Sequence, residues 1–162
     1  MDTATEAPEL KSEFALTLER TFEATPEQVW KAWTTPALLE QWFAPAPYKT
    51  SGVVIDATAG GLFRTVMTAP DGAEFANDGV ILKAMRNRQL VFTDAFTPDW
   101  KPAGQPFMVV TIDITPIDGG KTHYVATVRH WNEATLKQHE AMGFHQGWGI
   151  CADQLGALAK TL

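Results

Sequence analysis

From Thr50 to Trp131 the chain repeats one pattern: short runs that alternate apolar and polar residues, separated by turn residues. That is the period of a strand with one face buried and one face wet. "TSGVVIDA", "LFRTVMTA", "FANDGVILKAM", "QLVFTDAF", "FMVVTIDIT" and "THYVATVRHW" are six such runs. Gly60-Gly61, Pro70-Asp71-Gly72, Arg86-Asn87-Arg88 and Asp118-Gly119-Gly120 punctuate them. Glycine after aspartate supplies the positive φ that a tight hairpin requires. A loop with Pro98, Pro102, Gly104 and Pro106 is the one long interruption. Consecutive strands joined this way form an antiparallel sheet, and its apolar face needs a cover.

Only the flanks can supply that cover. Phe14, Leu16 and Leu18 alternate with polar or small residues and read as a further strand. "TPEQVWKAW" follows, with Thr25 as N-cap, Pro26 at the first helical position and Gln28 completing a capping box. Thr35-Pro36 repeats the signal for a second short helix, which Pro45 and Pro47 end. Beyond Asn132 an apolar stripe runs through Ala141, Phe144, Trp148, Cys151, Leu155, Leu158 and Leu162. Gly143, Gly147 and Gly149 each weaken a helix by about 1 kcal/mol, so the regular helix is expected near Phe144 after an irregular start. The pattern predicts an α+β fold: a curved antiparallel sheet of about seven strands, two short helices after strand 1, and a long C-terminal helix enclosing a cavity.

A chain of 162 residues suits one domain, here residues 11–162 behind a frayed tail at 1–10. The formal charge of −6 argues against nucleic acid as a partner. Cys151 is the sole cysteine, which excludes an intramolecular disulfide and a four-cysteine zinc site. On the apolar stripe it reads as a small buried hydrophobe. The first ten residues lack the apolar run of a signal peptide, and no stretch reaches the ~18–20 apolar residues of a membrane span. A cytoplasmic protein with no membrane partner is expected.

"VWKAWTTPALLEQWFAP", "DATAGGLFRTVMTAPDG", "GVILKAMRNRQLVFT" and "GFHQGWGICADQLGAL" occur in this order over about residues 12–161. They resemble the family named for an activator of the heat-shock protein 90 ATPase, within the START-like or Bet v 1-like (SRPBCC) helix-grip superfamily. The resemblance implies the helix-grip fold. The family name implies a co-chaperone. The named activator has a separate N-terminal domain as well, so the resemblance is to small bacterial members, and a small-molecule pocket is what it implies here. Fold does not fix function within such a superfamily.

"HEAMGFHQGW", from His139 to Trp148, begins like a zinc-protease helix, but Gly143 stands where the second histidine of His-Glu-x-x-His belongs. His139 and His145, six positions apart on one helix, would point about 120° from each other, and no metal site is expected. The same count sets His139 opposite the Trp148 stripe, in solvent. His145 falls at the stripe's border, either half-buried or in a cavity wall. His130 follows Tyr124, Ala126 and Val128 at period two and faces inward with them.

Asp94 shares a strand face with Leu90, Phe92 and Phe96. A carboxylate there is costly unless paired. It is either a wet strand end or a cavity acid, and with His130 or His145 it would make an acid–base pair for a cyclase or hydratase without metal. Trp42, Phe43, Phe63, Met67, Phe75, Phe92, Phe96, Met108, Ile112 and Met142, with Tyr124, complete the residues expected at the cavity. As a set they suit a small hydrophobic or amphipathic ligand. Trp100, in the proline-rich loop, is a candidate lid or homodimer contact. Gly60-Gly61 lacks the G-x-G-x-x-G context and no P-loop lysine is present, so no cofactor is expected.

Overall fold

Period-two alternation becomes seven hydrogen-bonded strands in the computed structural model of the chain, which describes residues 14–162. The tail expected at residues 1–10 lies outside the described residues. Strand β1 spans Ala15–Phe22, β2 Lys49–Ile55, β3 Leu62–Thr68, β4 Glu74–Met85 and β5 Gln89–Thr93. The long loop contributes two-residue strands β6 (Phe96–Thr97) and β7 (Lys101–Pro102), which pair with each other. Strands β8 (Val109–Ile117) and β9 (Lys121–Arg129) complete the main sheet.

The order is β1-β9-β8-β5-β4-β3-β2, antiparallel throughout. The chain therefore moves from one edge of the sheet to the other between β1 and β2. Helices α1 (Pro26–Thr34) and α2 (Pro36–Leu39) make that crossing. Thr25 caps α1 as its sequence predicts: its hydroxyl accepts from Gln28 N, and Gln28 Oε1 accepts from Thr25 N. The amide nitrogen of Gln28 also donates to the Leu162 carbonyl and ties α1 to the end of the chain.

The C-terminal helical segment is two helices, not one helix with a ragged start. α3 covers Glu133–Ala141 and α4 covers Phe144–Ala159. Gly143 sits between them at φ 90°, a left-handed conformation that a side chain would strain. α4 packs on β1 and α1, and α1 packs on β8 and β9. Leu155, Ala152 and Ala159 of α4 meet a core in which Trp33, Leu90, Ile112 and Val128 are fully enclosed. Among the described residues, no helix is long and apolar enough to cross a membrane.

One glycine fixes how close α4 comes to the sheet. A Cβ at Gly156 would stand 2.7 Å from the ring of Phe22, which is itself buried against Tyr124 with ring centroids 4.9 Å apart. Gly156→Ala is therefore expected to lose about 1–3 kcal/mol from overpacking, despite the ~1 kcal/mol that alanine gains in helix propensity. Urea unfolding reads the sign. A stabilised variant would show that Phe22 yields freely.

Candidate functional site

Where α4 leaves the sheet uncovered, a cavity of about 490 Å³ opens over β3, β4 and β5. An aromatic chain forms one wall. Trp33 lies edge-on to Trp42 (4.7 Å between ring centroids) and near Phe43 and Phe92, and Phe63 bridges Phe43 and Phe92. Met67 and Met108 add polarizable thioethers, and Trp148, Cys151 and Ala152 form the α4 wall. Tyr48, Asn77, Asp78 and Met142 line the cavity yet are exposed, so they mark its mouth.

The polar groups of this wall are largely consumed. Trp33 Nε1 donates to Tyr124 Oη at 3.2 Å, and Trp42 Nε1 donates to the Ala32 carbonyl. The Thr93 hydroxyl donates to the Met108 carbonyl and accepts from Ala95 N. Burial pushes the Tyr124 hydroxyl pKa well above its ordinary value and that of the Cys151 thiol up to about 12, so both keep their protons. At the mouth, the Arg64 guanidinium hydrogen-bonds to Asp78 and holds its carboxyl below the usual range.

Gln154 of α4 was not expected from the sequence. Its Nε2 donates to the carbonyls of Trp42 and Ala44, and its Oε1 accepts from Ala46 N. One amide thus holds the loop that carries the Trp42–Phe43 wall. A lone polar residue beside a helical stripe gives no sequence signal of such a role.

Of the residues expected at the cavity, Trp42, Phe43, Phe63, Met67, Phe92, Asp94, Met108, Tyr124 and Met142 line it. Five do not. Phe75 is 53% exposed, because the β3–β4 hairpin end from Glu74 to Asp78 has no cover on either face. Phe96 has left the sheet and stacks edge-on to Trp100. Ile112 is sealed in the core, on the strand that α1 packs against. His145 is exposed, its Nε2 3.9 Å from Glu140 Oε2. His130 faces inward, as period two predicts, but stands behind His139 and Phe107. Trp100 packs over Gly60, outside the cavity lining.

His139 reverses its expectation. It is 7% exposed and lines the cavity. The expected phase assumed one continuous helix from His139 to Trp148, and the break at Gly143 sets α3 on its own axis. Its ring stands among Phe107, Phe144 and Trp148, with its Nδ1 3.0 Å from His130 Nε2. His130 Nδ1 in turn lies 2.8 Å from the Phe107 carbonyl.

Asp94 and His130 form no direct acid–base pair. Asp94 Oδ1 accepts from the amides of Phe107 (2.9 Å) and Met108 (3.1 Å). The two side chains grip opposite ends of Phe107: one takes its N–H, the other donates to its carbonyl. The costly carboxylate on the apolar face is thus matched to backbone donors. Among the described residues no three His, Cys, Asp or Glu side chains group as a metal site.

The family model described as Activator of Hsp90 ATPase homolog 1-like protein matches residues 23–160. No curated protein matches the chain. Among solved structures, a Nitrosomonas europaea protein is 36% identical with a TM-score of 0.89, the match covering 94% of this chain and 97% of that one. A Rhodobacter sphaeroides protein is 26% identical with a TM-score of 0.79, covering 92% and 94%. One from Mycobacterium smegmatis is 25% identical with a TM-score of 0.76, covering 90% of each.

Burial, and then the nearby His130, push the His139 pKa down to about 4. The unfolded chain takes up this proton near the ordinary histidine value of about 6.5, so stability is lost as pH falls from there toward 4. The loss is on the order of 3 kcal/mol once the folded value is reached. His139→Phe removes this component, while the carboxylates titrate in both proteins. Urea unfolding of the two between about pH 7 and about pH 4 should show the wild type falling more steeply. Parallel curves would place His139 in water.

Proposed function

We propose that this chain, which belongs to the Activator of Hsp90 ATPase homolog 1-like family, binds a small apolar or amphipathic molecule between its sheet and its C-terminal helices. One observation carries the reading: a cavity of about 490 Å³ whose wall is built from Trp33, Phe43, Phe63, Phe92, Met67 and Met108. Ligand pockets commonly span ~300–1,000 Å³ and combine such an apolar wall with a few placed polar groups. Core aromatics left facing open space would otherwise be filled by neighbours, since interiors pack to crystal-like density. Association is favoured by the apolar area a ligand would remove from water, roughly 25 cal/mol per Å² before the costs of binding.

A cyclase or hydratase working through Asp94 and His130 is the weaker reading. Those side chains are engaged with the Phe107 backbone and do not meet across the cavity. A carrier or receptor needs only the wall and the mouth.

The test begins with native mass spectrometry of protein purified gently from its own host, followed by extraction. A small apolar molecule is expected to co-purify, or a neutral aromatic probe to raise the melting temperature. Met67→Trp, on the half-buried β3 wall, is expected to fill the space and weaken that binding by tenfold or more while the circular dichroism spectrum stays unchanged. A clean apo mass, with no thermal shift across a lipid and aromatic panel, would overturn the reading.

A further inference from the structure

We infer that the cavity selects a neutral ligand carrying a hydroxyl group, whose O–H donates to Nε2 of His139. The inference rests on the ligand-binding reading above and names the chemistry of its polar end.

The direction of the hydrogen bonds follows from what each partner can do. The Phe107 carbonyl only accepts, so His130 Nδ1 carries a hydrogen. In a neutral ring His130 Nε2 then has a lone pair, and His139 Nδ1 must donate to it. His139 Nε2 is left without a hydrogen, as an acceptor. Among the described residues it has no hydrogen-bond partner, and the one sealed and unpaired side-chain oxygen or nitrogen among them is Thr50 Oγ1. Nε2 is therefore not shut in; it belongs to a ring that lines the cavity. The reverse direction needs an additional proton on two adjacent buried rings. Among the described residues the ion-paired histidines are His123 and His145, so no carboxylate stands beside this pair to hold that proton, and burial keeps the His139 ring itself neutral.

Charge narrows the ligand further. Among the described residues the lining contains the carboxylates of Asp78 and Asp94 and no lysine or arginine. A carboxylate or phosphate head would meet a lone pair and no counter-charge, and would lose its hydration. A cationic head gains less than two free carboxylates would offer, because Arg64 already pairs with both oxygens of Asp78 and two backbone amides engage Oδ1 of Asp94. A neutral hydroxyl satisfies Nε2 and demands nothing else. An acceptor-only group such as an ether leaves it unpaired, which is the asymmetry that gives hydrogen-bonding sites their selectivity.

Four probes sharing one naphthalene body test this on the full chain by calorimetry at neutral pH: 2-naphthol, 2-methoxynaphthalene, 2-naphthoate and naphthylmethylammonium. Naphthol is expected to bind at least roughly tenfold tighter than the methyl ether, the size of one net hydrogen bond. The two charged probes should be weaker than naphthol. His139→Phe should erase the naphthol–ether difference. Independently of any variant, ring-nitrogen NMR of the wild type should show His139 Nε2 unprotonated and shifted by naphthol but not by the ether. Equal binding of naphthol and ether with Nε2 unmoved, or tightest binding by a charged probe, overturns this inference alone. Failure of all four probes overturns this inference, and joined to a clean apo mass with no shift across the lipid and aromatic panel it overturns the binding reading as well.

Discussion

The fold is governed by a shortfall of cover. Seven strands at about 4.8 Å spacing make a sheet roughly 29 Å across. The 16 residues of α4 reach roughly 24 Å, and α4 lies on β1 and α1 rather than across the whole face. Helix α1 covers β8 and β9. What remains is the apolar face of β3, β4 and β5, which α4 faces across the cavity. Side chains close it instead: indoles and phenyl rings from α1, from the loop after α2 and from the sheet meet edge to face. Rings packed this way gain about 0.5–1.5 kcal/mol per pair beyond buried area, yet they cannot fill the gap, and the cavity is what is left.

Polar groups around that gap serve mainly to hold the wall. Gln154 pins the loop bearing Trp42 and Phe43, and Tyr124 accepts from Trp33. Asp94 and His130 clamp Phe107 from its two ends. Each of these bonds is buried or half-buried, where leaving a donor unmade costs about 1–3 kcal/mol. The wall is therefore preorganised before any ligand arrives, which lowers the ordering cost of binding.

The legible parts of the sequence were the local ones. The α1 cap is written within four residues, Thr25 to Gln28, and the strands are written in their own alternation. Even the inward turn of His130 follows from period two along β9. The site was less legible because its logic is long-range. Asp94 stood out as a misplaced carboxylate, but its partners are backbone amides 13 and 14 residues away, invisible to side-chain patterns. His139 was misplaced by arithmetic: counting 100° per residue holds only within one helix, and Gly143 at φ 90° ends that count. The cost of Gly143 in a helix points to a regular helix starting near Phe144, where α4 does begin; the separate helix α3 before it is what the sequence does not signal.

That division also decides what kind of histidine the cavity receives. Carried on a continuous helix, His139 would face solvent and titrate as an ordinary imidazole. Turned inward on α3, it is buried against three aromatic rings and wired to His130, with its pKa held near 4. Efficient general bases sit near the operating pH, and a base this weak abstracts a proton poorly at neutral pH. The same depression keeps the ring neutral well below neutral pH, so the lone pair inferred for Nε2 stays available there. The environment thus favours a fixed hydrogen-bond acceptor over a proton shuttle, which supports the proposed binding role over an acid–base one.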